Sequence, residues 1–390
     1  MKLLQLCHKP LSGQADGGKL AMKAMRDGLR ENGASVFSWM IETPQHRSEI
    51  NTAEKDFSKS FFIDTRIKPL AAFWALVNGK SYNLSRFSNS AARKDIAEII
   101  KTFKPDCILA EGIFTLAGWA EAGFGNEIPV ILRTHNIEFL IWERMAAAET
   151  NPLRRWYLKR LAASLKREEV KIWSQVRGIL AISDQDANLI RSYLPKVVIE
   201  TVGIGFELLP YQKRSFDSDK FFHLGAMDWR PNREGMDYFL NQVWPLLRKD
   251  RPGIELKLAG KGMPDAYKDH KNDGVFVAEA NDSVSFMIES GVMVVPLLSG
   301  SGVRVKIIEG MMLGIPIIST TLGFEGIPAK PGKEILVADT PQSFRLIFNQ
   351  LASSPDLLNE VSENARKFAA ENYRKDVLGL KALNFIRELI

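Results

Sequence analysis

Between residues 292 and 319 the chain reads V-M-V-V-P-L-L-S-G-S-G-V-R-V-K-I-I-E-G-M-M-L-G-I-P-I-I-S. Val292–Val295 is a short, unbroken apolar run, as expected for a strand buried on both faces. The glycine-rich stretch Leu298 to Gly302 follows it. Beyond lies a helical pattern in which Gly302, Lys306 and Glu309 stand at i, i+4, i+7 on one face, with Val303, Ile307 and Met311 on the other. A second apolar run, Ile315–Ser319, closes the unit. Strand, loop, helix and strand in that order predict two parallel strands joined by a crossover helix.

The same alternation extends through the chain. Upstream, apolar runs at Leu3–Leu6, Val36–Met40, Cys107–Ala110, Val130–Leu132 and Gly178–Ile182 alternate with helical patterns such as Leu20–Arg30. After Pro195 the pattern restarts, with strands at Phe221–Leu224, Glu255–Leu258, Val275–Val277, Val292–Val295, Ile315–Ser319 and Ile335–Ala338. The 390 residues exceed what one core usually holds. The expectation is therefore an α/β protein of two doubly wound, Rossmann-like domains, residues 1–200 and 201–374, facing each other across a cleft. Residues 375–390 form a helix after the second sheet closes and are expected to cross back to the first domain. Neither internal repeats nor low-complexity segments are visible.

Composition narrows the class. With 45% hydrophobic and 25% charged residues the chain is globular rather than disordered. The longest apolar run, Ala71 to Val77, falls far short of the roughly 20 residues of a spanning helix. The opening M-K-L-L-Q-L-C-H is too brief for a secretory apolar core, so a cytoplasmic protein is expected, at most peripheral at the inner face of the membrane. Cys7 and Cys107 sit in strand-like runs and read as buried, reduced thiols. The formal charge of +6 leaves nucleic acid, anionic membrane and phosphorylated substrates open.

In open α/β folds ligands gather beyond the carboxyl ends of strands, and four stretches there carry candidate chemistry. Ser12 to Lys19 places Gly17 and Gly18 where a helix begins, so backbone N–H groups could approach an anion; a tight glycine turn accounts for them equally well. Arg133-Thr134-His135-Asn136 follows a strand and reads as a ligand-facing loop, with His135 its principal candidate. Asn136 could instead simply cap the next helix. Gly225-Ala-Met-Asp-Trp-Arg230-Pro-Asn sets a glycine and a cation at another strand end, although Pro231-Asn232 fits an ordinary helix start. The fourth stretch is the glycine loop already quoted. Its helix amino terminus, with Arg304 and Lys306, suits a diphosphate, and Glu309 one turn on can accept two ribose hydroxyls. A solvated charged face would explain those charges but not the glycines.

Together these stretches resemble the two-Rossmann-domain (GT-B) glycosyltransferases of the large retaining family four, group one. The similar segments are G-A-M-D-W-R-P-N-R-E-G-M-D-Y-F-L at 225–240, V-P-L-L-S-G-S-G-V-R-V-K-I-I-E-G-M-M-L-G-I-P-I-I-S-T at 295–320, Gly17-Gly18, and R-T-H-N-I-E-F-L-I-W-E-R at 133–144. The resemblance implies a nucleoside-diphosphate sugar as donor substrate and retention at the anomeric carbon, with no other cofactor and no metal. It implies a catalytic set of His135, Arg230, Arg304 and Lys306, and donor contacts at Gly17, Gly18, Gly225, Ser301, Gly302, Val303 and Glu309. Glu309 matches the second glutamate of the family's E-x7-E motif, while Ser301 stands where the first would be. The basic pair usual after the first loop is reduced to Arg230, and Arg304 and Lys306 are placed to supply the missing charge.

The acceptor is expected to be a glycan or a lipid-linked molecule, with a role in cell-surface polysaccharide synthesis. Two regions could meet it: Lys68–Phe87, with Phe73, Trp74, Tyr82 and Phe87, and the basic helix around Asn151–Trp173. Residues 151–177 hold eight cations and two acids, a net +6 equal to that of the whole chain. Such a helix can contact an anionic membrane, or it can be an ordinary solvated surface with Glu168 and Glu169 partly offsetting its cations. Two other functional classes share this architecture: a non-catalytic nucleotide- or sugar-binding module, and an NAD-dependent oxidoreductase. The second needs a G-x-G-x-x-G loop after a strand, which this chain lacks. A nucleic-acid binder is disfavoured because the second-domain cations lie in loops after strands rather than along one aromatic-lined groove.

Overall fold

The computed structural model describes residues 1–12, 17–47, 57–118, 128–208, 214–280, 282–300 and 302–390. They form two units, Met1–Gly205 with Lys375–Ile390, and Phe206–Arg374. Each is built on one parallel sheet.

In the first unit the strands are β1 (Lys2–Cys7), β2 (Ser35–Glu42), β3 (Ser58–Phe62), β4 (Cys107–Glu111), β5 (Val130–Thr134), β6 (Gly178–Ala181) and β7 (Ile199–Thr201), in the order β3-β2-β1-β4-β5-β6-β7. The helices that position the site are α1 (Gly17–Glu31), α2 (Pro69–Val77), α3 (Ser90–Phe103), α4 (Glu138–Ala148), α5 (Pro152–Gln175) and α6 (Asp184–Tyr193). Central strands are buried on both faces: Leu3, Leu4, Leu6 and Cys7 in β1, and Ile108, Leu109 and Ala110 in β4, are fully enclosed. This is why they read as continuous apolar runs. Leu165, Ile172 and Trp173 of α5 and Ile96 and Ile99 of α3 pack into the same core. Cys7 and Cys107 are both buried and free.

The second unit has β8 (Lys220–Leu224), β9 (Glu255–Ala259), β10 (Val275–Ala278), β11 (Val292–Val295), β12 (Ile317–Ser319) and β13 (Leu336–Val337), in the order β10-β9-β8-β11-β12-β13. Its helices include α7 (Arg230–Tyr238), α8 (Ser283–Glu289), α9 (Val305–Met312), α10 (Pro341–Ser353) and α11 (Pro355–Asn372). Helix α12 (Lys375–Leu389) belongs to the first unit and crosses α1 at two glycines. A Cβ on Gly28 would lie 2.1 Å from the Lys375 carbonyl oxygen, and one on Gly379 would lie 2.3 Å from the Gly28 carbonyl carbon, so only glycine permits this backbone-to-backbone contact.

The strand pattern departs from the sequence expectation at β3 and β7. Both are edge strands of the seven-stranded sheet, short and only partly buried, so they lack the apolar run that marks a central strand. Helix α1 also starts three residues earlier than periodicity indicates. Gly17, Gly18 and Lys19 form its first turn, and Lys19 Nζ donates to the Ser12 carbonyl at 3.1 Å.

Strand order fixes where a ligand can sit. In each sheet the order reverses once, between β1 and β4 in the first unit and between β8 and β11 in the second. The loops beyond those paired strands diverge and leave a crevice.

Candidate active site

At the second switch point β8 and β11 run parallel, with Phe221 opposite Val292 and Phe222 opposite Met293. Gly300 and Gly302 in the loop after β11 have φ of +115° and +82°, a region that L side chains rarely adopt, so this path demands glycine. Helix α9 begins only at Val305, with Arg304 as an N-cap residue that makes no side-chain capping bond. Gly302 and Val303 therefore lie in the loop, not on the helix face that the i, i+4, i+7 spacing implies. Extended backbone at Arg304 breaks the helix before them. Ser301 lies outside the described residues.

Arg304 and Lys306 are held differently. The Arg304 guanidinium stands 5.3 Å from the Trp229 ring centroid and donates through Nη1 to the Gly302 carbonyl, locking the loop around it. Lys306 Nζ donates to Glu309 Oε2 at 2.8 Å, and Ser283 Oγ, from the first residue of α8, donates to Oε1 at 3.4 Å. Glu309 thus has both oxygens engaged, one by a half-exposed lysine.

The loop after β8 meets the same place. Helix α7 starts at Arg230 with Trp229 as its N-cap, and Asn232, a candidate cap by sequence, instead donates from Nδ2 to the Ala226 carbonyl at 3.0 Å. Arg230 is largely exposed and donates to Glu234 Oε1 at 2.6 Å, while Ser299 Oγ donates to Oε2 at 2.7 Å. Those bonds, Ser299 first and Arg230 second, hold the Glu234 carboxyl below its ordinary range. Glu234 so ties α7 to the glycine loop. Gly225 packs closely, because a Cβ there would lie 2.6 Å from Asn232 Nδ2 and 2.8 Å from His223 Nε2 and would displace those side chains. His223, which sequence reasoning missed, is buried under this loop. Its Nδ1 bonds the Val294 carbonyl at 2.8 Å, and burial lowers its pKa to about 4, leaving a neutral ring. Another missed feature is Gly260-Lys261-Gly262 after β9: Met227 N donates to the Lys261 carbonyl at 2.7 Å, knitting the two loops together.

At the first switch point the polar residues form a buried network. Glu111, which ends β4, accepts from Gln5 Nε2 at 2.8 Å on Oε1, and on Oε2 from Arg133 Nη1 at 3.1 Å and His135 Nε2 at 2.8 Å. Arg133 also donates to the Ala21 carbonyl at 3.2 Å and the Gly203 carbonyl at 2.9 Å. Burial alone would raise the Glu111 pKa. The Arg133 charge and the His135 and Gln5 bonds outweigh it and hold the carboxyl at about 2. His135 is pushed down by burial more than Glu111 lifts it, so its ring is neutral near pH 7. A carboxylate only accepts, so His135 Nε2 carries the proton and Nδ1 the lone pair. His8, just after β1, bonds the Glu111 carbonyl through Nδ1 at 2.8 Å and meets His135 edge-on at 5.6 Å. Burial, then the neighbouring His135, lowers its pKa to about 3.

The reading of Arg133 to Asn136 as four ligand-facing residues is thus corrected. Arg133 and Thr134 complete β5 and are buried, and only His135 and Asn136 reach a surface. Asn136 does not cap α4 either. The amides of Glu138 and Phe139 donate to Glu169 Oε1 and Oε2 at 3.1 and 2.9 Å, so a carboxylate from α5 provides the cap. Glu169 is fully buried in that role and does not offset the surface cations of its helix. Glu168 accepts from the Ser81 amide at 2.7 Å. His8 and Glu111 escaped the sequence reading, although each is a polar residue ending an apolar strand run.

Gly17 and Gly18 open α1, and the loop residues 13–16 before them lie outside the described residues. A cleft of 440 Å³ in the same unit is lined by Lys80, Leu84, Ser85 and Ser88 together with Leu116, Glu168, Lys171 and Ile172. It brings together the two regions singled out for the acceptor. Among the described residues no group of three or more His, Cys, Asp and Glu side chains could hold a metal ion, and no helix is long and apolar enough to cross a membrane.

Comparison with known proteins bears on the domain and the fold. Residues 218–353 match the family model described as glycosyl transferases group 1. The chain is 22% identical over 301 residues to an uncharacterised 44.6 kDa protein in the cps region of Klebsiella pneumoniae, covering 72% of this chain and 74% of that one. It is 24% identical over 346 residues to an uncharacterised glycosyltransferase of Haemophilus influenzae, covering 81% and 84% of the two chains. The crystal structure of Anabaena Alr3699/HepE in complex with UDP superposes with a TM-score of 0.66 at 14% identity, over 100% of both chains. The fold is that of the GT-B glycosyltransferases. More particularly, residues 218–353 of the second unit match a group 1 glycosyltransferase domain.

Proposed function

We propose that the protein transfers a sugar, with retention and without a metal, from a nucleoside-diphosphate sugar to a glycan or lipid-linked acceptor in cell-surface polysaccharide synthesis. The observation that carries the reading is the glycine loop at the β8/β11 switch point. It delivers Arg304, Lys306 and the amides of the first turn of α9 to one place within the family-matched domain.

Breaking the donor's glycosidic bond leaves a diphosphate whose charge grows in the transition state. Fixed cations and N–H dipoles stabilise it most where they are positioned beforehand. Arg304, fixed by Trp229 and Gly302, is such a group, and Arg230 stands at the neighbouring strand end. The Lys306–Glu309 pair acts as an exchange. A partly exposed i, i+3 ion pair contributes roughly 1 kcal/mol, so Lys306 turns to the phosphates at little cost and releases Glu309 to the ribose hydroxyls. Gly225, Ser301, Gly302 and Val303 border the donor. On the first unit, Gly17 and Gly18 offer the α1 amino terminus, and His135, kept neutral by burial and oriented by Glu111, contacts the sugar. The cationic charge near the leaving group supports metal independence. The 440 Å³ cleft, with lysines at its rim and leucines within, suits part of an amphiphilic acceptor.

UDP bound to Alr3699/HepE makes uridine nucleotides the first donors to test, and the relative in a cps region supports the polysaccharide role. Hydrolysis and transfer are measured with a panel of nucleotide sugars for the wild type, Arg304→Ala and Glu309→Ala. Both variants are expected to lose most turnover; near wild-type rates in both would reject the site assignment. Nucleotide binding without turnover of any donor would favour a binding module.

A further inference from the structure

Helix α2 is oriented against the usual rule. Its sequence, P-L-A-A-F-W-A-L-V, contains no charged residue, and Leu70, Phe73, Trp74 and Val77 form one i, i+3, i+4, i+7 stripe. In a globular protein that stripe faces the core. Here it faces solvent: Leu70 is 79% exposed and Trp74 60%, and Ile67 just before the helix is 70% exposed. The helix is not a loosely held end. On its entry side the Lys68 amide donates to the Tyr82 hydroxyl at 2.7 Å. On its exit side the Gly79 carbonyl accepts from Arg167 Nη2 at 3.0 Å and the Ser81 amide donates to Glu168 at 2.7 Å.

Arg167 and Glu168, which pin the exit side of α2, belong to α5, whose own first half also projects. Asn151 caps it, accepting from the Leu153 and Arg154 amides at 3.0 and 3.1 Å, with Pro152 in the first turn. Leu153 is 79% and Trp156 57% exposed, between Arg154, Arg155, Lys159 and Arg160.

We infer that α2 and the first half of α5 form a docking surface for an anionic lipid bilayer, with α2 entering the interface and the α5 cations contacting the headgroups. The charge pattern selects this occupant. Residues 67–80 and 151–160 contain six cations and no acid, while the neighbouring Arg66 is paired with Asp64. A second copy of the chain packed on this face would set like charges against like, which opposes a symmetric dimer. A bilayer supplies the missing negative charge and a medium for Phe73, Trp74 and Leu70, and tryptophan and tyrosine settle at its polar boundary. The inference is independent of the sugar-transfer reading, since it concerns neither switch point.

The test is cosedimentation of the full chain with vesicles of phosphatidylcholine alone or mixed with phosphatidylglycerol, at low and high salt. The wild type is expected to bind the anionic vesicles, more weakly as salt rises, and to bind phosphatidylcholine little. Phe73→Ser with Trp74→Ser is expected to lower partitioning about tenfold or more through lost apolar insertion. Arg154→Ala, Arg155→Ala, Lys159→Ala and Arg160→Ala together should lower it by nearly three orders of magnitude and flatten the salt dependence, at about fivefold per cation. Both variants alter exposed side chains and should keep the wild-type melting temperature. Three results would overturn the inference: no binding of the wild type to anionic vesicles at low salt, unchanged binding by both variants, or a wild-type dimer that the Phe73/Trp74 variant converts to monomer while vesicles are ignored.

Discussion

The two switch points use similar residues in opposite ways. In the first unit Glu111, Arg133 and Gln5 are fully buried and bind one another across gaps of 22 to 106 residues. In the second unit Arg230–Glu234 and Lys306–Glu309 are local pairs, four and three residues apart, on helices whose cations reach solvent. A buried ion network has given up its hydration, so its members are committed to each other and set the shape of the strand ends. An exposed local pair keeps most of its hydration and can change partner. Charge at the first switch point therefore builds the scaffold that orients His135. Charge at the second remains available to a ligand.

The largest effect expected from this contrast is on stability. Glu111→Ala leaves the Arg133 guanidinium buried without its counter-ion, and chemical denaturation should show a loss of about 3–5 kcal/mol. Replacing both, as Glu111→Leu with Arg133→Met, should cost less than the single change, because no lone charge is left. A double variant as unstable as the sum of the two singles would mean that the network matters through its other hydrogen bonds and not as an ion pair.

The second switch point should respond in the opposite sense. Arg304→Ala and Lys306→Ala are each expected to lower donor turnover by about 10²–10³, the usual cost of removing one preorganised group that stabilises transition-state charge. The unfolding free energy of Lys306→Ala should move by less than about 1 kcal/mol, as for other surface pairs, and that of Arg304→Ala, which also loses the Trp229 contact and the Gly302 bond, by about 1–2 kcal/mol. If Arg304→Ala is as destabilising as Glu111→Ala, the distinction between scaffold and ligand charges fails.

This contrast also explains what the sequence could reveal. The central strands were legible because burial on both faces leaves a continuous apolar run. The glycine loop was legible because its chemistry lies within a dozen consecutive residues. Edge strands β3 and β7, wetted on one side, carry no such run. The Glu111–Arg133–His135 network joins two strand ends that become neighbours only when β4 and β5 pair. Glu169 shows the same limit. Beside lysines and arginines it reads as a surface charge, but it lies on the buried side of α5 and caps another helix. Sequence marks a helix face; which neighbour covers that face is a property of the fold. For α2 the sequence marks an apolar stripe, and the fold leaves it exposed among the described residues.

Glu169 provides the smallest and most directional test. Burial first, then the nearby Glu138 carboxylate, raises its pKa from 4.5 to about 8, against the two amide bonds from α4 that favour the charged form. A carboxyl whose folded pKa is raised favours folding most below its unfolded pKa, and that contribution is lost as pH climbs from about 4.5 towards 8. Glu169→Gln removes the titration and one capping acceptor while keeping the shape. The variant should be the less stable protein near pH 4.5, where the wild-type carboxyl is largely protonated and unpenalised. As pH rises towards 8 the gap should narrow, and above pH 8 it can reverse. Thermal melts of both proteins across that range read the difference directly. A gap that widens with pH would show that the charged cap outweighs burial. Glu169 would then belong with Glu111, as a carboxylate that its partners keep ionised inside the protein.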